Sequence, residues 1–134
     1  MKTSIPGAAL ALLCCGAAQA ADPGDEVELS SAPVTAASCA QRAVETGKLS
    51  LLSACPLDQV KTGLVVFDVA EMAFYRLDPR SVRLSDLERA YGGGSVDVTG
   101  KVVRVEGTEN VGVVQVSELR VTPKPKAGAF KGCL

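Results

Sequence analysis

The chain has 134 residues, with 14 basic and 15 acidic side chains, 47% hydrophobic residues, two tyrosines, three phenylalanines, and neither histidine nor tryptophan. A near-neutral balance excludes a global attraction to nucleic acid or to anionic lipid. The lack of histidine removes the usual Ser-His-Asp and Cys-His nucleophiles together with the commonest zinc ligand, and the length suits one domain with a modest core.

Residues 1–20 read as a signal peptide. Lys2 gives a short positive start, residues 8–15 are apolar, and Ala18-Gln19-Ala20 fits a small-x-small cleavage pattern before Ala21. The apolar run is too short to span a bilayer, and no later stretch is long enough. A lipoprotein signal at Cys14 or Cys15 lacks the small residue it needs, because Leu13 and Cys14 occupy those places. The expected location is therefore the periplasm or the exterior. Cleavage removes Lys2 and leaves 13 basic against 15 acidic side chains.

Cys39, Cys55 and Cys133 remain after cleavage. In an oxidising compartment they imply one disulfide and one leftover thiol, with three pairings open. Cys55–Cys133 is preferred, since a cysteine beside the C-terminus would pin a loose tail, and Cys39–Cys55 is the runner-up. No Cys-x-x-Cys spacing is present; a thiolate site for copper(I) is the only metal chemistry the three suggest, and structural disulfide chemistry takes precedence. No metal and no cofactor are expected.

Residues 21–37 are rich in small, acidic and proline residues and predict a flexible linker. Ser38 with Gln41 three residues later has the form of a capping box, opening a short helix over 39–46 that Gly47 stops. Gly47-Lys48 is no phosphate loop, because Arg42 stands where the first glycine should be and no strand precedes it. Strands are predicted over 48–54, 64–68 and 72–77, the second nearly all apolar and so central, with Val69-Ala70-Glu71 a tight connection. Asp78-Pro79 ends the third. Ser85-Asp86-Leu87-Glu88 is a second capping box, beginning a helix whose Leu84, Leu87 and Tyr91 share one side and which Gly92-Gly93-Gly94 ends.

Residues 95–121 predict two long strands. Val96 and Val98 face one way and Asp97 and Thr99 the other, and the phase changes after Gly100. In the second strand Val114 and Val116 share a face before Leu119 and Val121 take the opposite parity. Gly107, Glu109, Asn110 and Gly112 supply the turn. Phase switches of this kind mark bulges that curl a sheet into a barrel. Residues 122–134 form an extended basic tail carrying Lys124, Lys126 and Lys131.

Strand, strand, strand, helix, strand, strand is the order of the oligonucleotide/oligosaccharide-binding (OB) fold. The expected class is mainly β with some α: a five-stranded OB-like barrel over 38–121, preceded by a short helix. An open antiparallel α+β sandwich is the alternative. Phe74-Tyr75-Arg76-Leu77, a short helix, and then residues 94–102 (GSVDVTGKV) resemble segments of small exported bacterial domains with a Tyr-x-Leu … Val-x-Val-Thr-Gly pattern. The resemblance covers roughly the C-terminal half; it implies an OB-like fold and no particular activity.

The most suggestive polar cluster is Arg76, Arg80, Arg83 and Arg89, and the candidate ligand-binding residues are Phe74, Arg76, Arg80 and Arg83. Phe74 and Arg76 share a face of the third strand, and in OB folds the surface around strands two and three commonly binds ligand. Such a face would hold an anion or a sugar by stacking and charge-assisted hydrogen bonds. The competing assignment is surface charge paired with Asp78, Asp86 and Glu88. Asp68, Glu71 and Asp78 sit at turns, where carboxylates more often cap than catalyse. The expectation is a non-catalytic exported binding or interaction module of the cell envelope, with an unidentified ligand or envelope protein as partner and no nucleic acid. A small enzyme using carboxylates or a reactive cysteine, or a structural protein attached through an unpaired cysteine, are the alternatives.

Overall fold

In a computed structural model of the chain, residues 22–107 and 110–123 are described. The predicted signal peptide, Cys133 and nearly all of the predicted basic tail lie outside them. Five strands close into a barrel in the order β1-β2-β3-β5-β4: β1 (Glu26–Ala36), β2 (Leu64–Asp68), β3 (Ala73–Leu77), β4 (Ser95–Glu106) and β5 (Val111–Thr122). All neighbours are antiparallel except β3 and β5, whose parallel seam spans Tyr75–Gly112 to Leu77–Val114. This is a small OB-like barrel, as the element order predicts, and the open sandwich is excluded by its closure.

The first strand is not the one the sequence suggests. The predicted linker over 21–37 forms β1, and the predicted strand over 48–54 is a helical turn. β1 is strongly bent. Glu26 to Pro33 pair with β4, and Val34 to Ala36 pair with β2. Pro33 lies where the strand changes partner, so its missing N–H interrupts neither ladder. Ser30 and Ser31 form a bulge opposite Asp97, whose carboxylate accepts the Ser31 N–H at 2.8 Å. Val27, Leu29, Ala32, Val34 and Ala36 all enter the core.

Bulges also curve the β4–β5 ribbon. Registers shift between Thr99 and Gly100, where Ser117 is the extra residue on β5, and between Val102 and Arg104, where Val103 is the extra residue on β4. The parity switch near Ser117 is thus as predicted. On β4 the inward set Val96, Val98, Gly100 and Val102 continues through the glycine and changes only at Val103. Gly100 serves close approach: a Cβ there would strike the Gln115 carbonyl oxygen and lie 2.8 Å from a Val114 methyl.

Between β1 and β2 the chain makes a helical excursion: α1 (Ala37–Thr46), α2 (Ser50–Ser53) and a 3₁₀ turn (Leu57–Thr62). Gly47 ends α1 in the left-handed conformation, as predicted. The Ser38 capping box is not made, because the helix begins two residues earlier and Ala36 takes the N-cap position. Ser38 instead donates its hydroxyl to Gln59 Oε1 at 2.7 Å, joining α1 to the 3₁₀ turn. The disulfide is Cys39–Cys55, with Cα atoms 6.0 Å apart, which overturns the preferred Cys55–Cys133 pairing. Both ends of the bridge lie within the excursion, which is stapled to itself.

The excursion explains why β2 is apolar on both faces. Val66 enters the barrel interior, while Val65 and Phe67 point outward and are covered by Ala40, Ala43 and Leu52 of α1 and α2, with Phe74 and Val111 completing this second core. The Phe67 and Phe74 rings stack with centroids 6.5 Å apart. After β3, α3 (Leu84–Ala90) closes the barrel with Leu87, Ala90 and the adjacent Tyr91. The predicted Ser85 capping box is also absent: Arg83 holds the N-cap position and no side chain caps the helix.

Candidate functional site

Strand alternation on β3 follows the predicted parity: Tyr75 and Leu77 pack on the barrel core, and Phe74 and Arg76 lie on the opposite face. Their surroundings differ from expectation. Phe74 is 3% exposed beneath the helical excursion, so no ligand stacks on it in this conformation. Arg76, two residues on, escapes the cover and is half-buried at the edge of a pocket. Arg80 and Arg83 are exposed and line other surfaces. The four predicted residues are therefore not brought together.

What separates Arg80 from Arg76 is the turn after β3. The Asp78 N–H donates to Val114 O at 2.7 Å, and its carboxylate accepts the Arg80 N–H at 3.2 Å. The Ser81 hydroxyl accepts the Val116 N–H at 3.0 Å. Pinned to β5 in this way, the turn directs Arg80 to a separate groove of about 740 Å³ shared with Glu26, Glu28, Lys101 and Ser117. Asp68 has a similar local task, accepting the Ala70 and Glu71 N–H groups across the β2–β3 turn. These carboxylates cap turns.

The pocket beside Arg76 has a volume of about 290 Å³. Its walls are Leu64, Leu77, Pro79, Val82, Leu84, Leu87 and Val113, drawn from β2, β3, β5, α3 and the turn between β3 and α3; Arg76, Arg104 and Glu106 are its charged members. Leu84, expected to dock with Leu87, is 61% exposed and stands at the rim. Arg104 Nε donates to Glu106 at 2.8 Å, and this hydrogen bond is the main reason its guanidinium is held protonated beyond the usual arginine range.

Arg76 is placed with more constraint. Its guanidinium rests against Gly63, where any side chain would strike it, and Gly63 adopts φ 101°, a conformation that favours glycine. Nη2 makes one long contact with the Thr62 carbonyl oxygen at 3.4 Å. Among the described residues the ion pairs are Arg89–Asp86 and Arg104–Glu106, so Arg76 lacks a carboxylate partner there. The predicted pairing of the arginines with Asp78 and Glu88 is not made. Asp86 does have an arginine, Arg89.

Two phenols are shifted. Burial raises the Tyr75 hydroxyl, aided by the charges of Asp68, Glu71 and Asp25. Burial likewise raises Tyr91, with a contribution from Asp58. Among the described residues no three Cys, Asp or Glu side chains are grouped to hold a metal ion.

The sequence pointed to Arg76 but missed the rest of the pocket. Leu64, Val82, Arg104 and Val113 are brought together by barrel closure across distances that no short motif encodes. Compared with protein-family models, with curated proteins and with solved structures, the chain finds no match.

Proposed function

We propose that the chain is an exported, non-catalytic binding module of the cell envelope whose ligand enters the pocket between α3 and the β3–β5 seam. The observation that carries this is the apolar pocket of about 290 Å³ with a half-buried arginine, Arg76, seated at its edge without an ion-pair partner among the described residues. Small-molecule sites combine apolar walls with a few fixed polar groups in this manner. Export is supported by the signal-like pattern of residues 1–20, by the Cys39–Cys55 disulfide, and by the resemblance to exported OB-like domains. No helix among the described residues is long and apolar enough to cross a membrane. Binding is favoured over catalysis because the chain has no histidine and because Asp68 and Asp78 are committed to turns.

The test is a titration with 2-naphthamide, an uncharged aromatic probe, followed by amide NMR. Shifts at Leu77, Leu84, Leu87 and Val113 are expected, and Val82→Trp, which fills the cavity, abolishes them. Shifts elsewhere, or shifts indifferent to Val82→Trp, would overturn the assignment of this pocket.

A further inference from the structure

We propose that the pocket takes a small organic monoanion, a carboxylate carried on a compact apolar body, with Arg76 as the residue that binds the charge. This rests on the assignment of the pocket as the ligand site. Its volume of about 290 Å³ corresponds to roughly ten water molecules. That is room for a compact molecule, and the mostly hydrocarbon walls favour an apolar body.

The charge balance around the cavity selects the headgroup. Glu106 is matched by Arg104 at 2.8 Å. Asp78 is buried, its carboxylate accepts the Arg80 N–H, and its charge acts on Arg104. Among the described residues Arg76 is left with one long contact to a neutral carbonyl oxygen. A guanidinium presents five N–H donors in a planar fork that matches a carboxylate, so most of its donor capacity is open to a ligand. Gly63, lacking a side chain, leaves room for the guanidinium beside the backbone. Among the described residues no carboxylate is paired with Arg76, so its open donors suit a single carboxylate. The carboxylates of Glu106 and Asp78 nearby disfavour a dianion such as a phosphate monoester.

The experiment compares 2-naphthoate with 2-naphthamide on the disulfide-bonded protein by amide NMR titration. The two probes have nearly the same shape and differ in charge. Both are expected to shift the amides of Leu77, Leu84 and Val113, with the naphthoate binding roughly tenfold more tightly because its hydrogen bonds are charge-assisted. Added salt should erode the naphthoate advantage and leave naphthamide unaffected. Arg76→Met should bring the naphthoate affinity down to that of naphthamide. Equal affinities in the unaltered chain would overturn the carboxylate assignment while leaving the pocket as a site. Failure of both probes to reach the pocket would overturn the pocket itself. Should Arg76→Met not fold, the probe contrast and its salt dependence in the unaltered chain decide the matter alone.

Discussion

The Tyr91 hydroxyl, just after α3, donates to the Pro56 carbonyl oxygen at 2.9 Å, joining residues 35 apart in the chain. The same hydroxyl lies 3.3 Å from the Cys55 carbonyl oxygen. One side chain thus ties the helix that closes the barrel to the disulfide-stapled excursion. The Pro56 oxygen also accepts the Gln59 N–H at 3.1 Å, and the phenol can donate to these carbonyls only while it is protonated.

Tyr91→Phe is expected to lower stability by about 1 kcal/mol, the net value of a typical hydrogen bond. The alkaline behaviour follows from the same contact. Burial, then Asp58, raises the folded pKa above the ordinary 10.0. The contribution is therefore fully present below pH 10 and is lost as pH rises through the folded value. Urea unfolding between pH 8 and 11 should show stability falling at the alkaline end, less steeply in Tyr91→Phe; identical slopes would remove Tyr91 as the cause.

How much of this was legible in sequence depends on whether local patterns decide. β4 alternates cleanly as far as Val102, and Val96, Val98 and Asp97 lie as their parity requires. β1 escaped because its signal is interrupted twice, by the Ser30–Ser31 bulge and by Pro33, and because its inward residues Ala32 and Ala36 are small. Leu49, Leu51 and Leu52 have the spacing of a short strand or of a helical turn, and packing on Val65 and Phe67 selects the turn. Phe74 was assigned the correct face, but nothing local announces that a helical excursion covers that face.

That cover makes Phe74 and Arg76 separable by experiment. Phe74→Ala is expected to cost about 3–5 kcal/mol by leaving a cavity against Phe67, read as a lowered urea midpoint. Arg76→Met should change stability by less than about 1 kcal/mol, since no ion pair is broken. Comparable losses in both would mean that Arg76 is structural.

Removing the bridge tests whether the excursion needs its staple. Cys39 and Cys55 are 16 residues apart, and closing a loop of that size is worth about 3 kcal/mol in the chain-entropy account. The double variant Cys39→Ala, Cys55→Ala should unfold at lower urea by an amount of that order. Early loss of hydrogen-exchange protection is expected in α1, with β4 and β5 protected longer.

Gly100→Ala examines the curvature of the ribbon. The added methyl would press on the Gln115 carbonyl, a Val114 methyl and the Val116 backbone, with the last two at 2.8 and 3.0 Å. Backbone atoms cannot yield as a flexible side chain does, so a loss of about 1–3 kcal/mol is expected from overpacking. A neutral outcome in thermal unfolding would show that β4 and β5 can separate there without penalty.

Thr35 offers the opposite case, a substitution expected to stabilise. It lies on β1 opposite Val65 and is fully closed off from solvent, and its hydroxyl has no hydrogen-bond partner among the described residues. An unpaired buried hydroxyl carries a desolvation penalty without compensation. Valine has nearly the same shape and the same β-branched preference for strands, so Thr35→Val removes the penalty without opening a cavity. A gain of about 1 kcal/mol is expected, seen as a higher urea midpoint at unchanged slope. A loss instead would mean that a buried water holds the hydroxyl, making this seam between barrel and excursion wetter than its apolar lining implies.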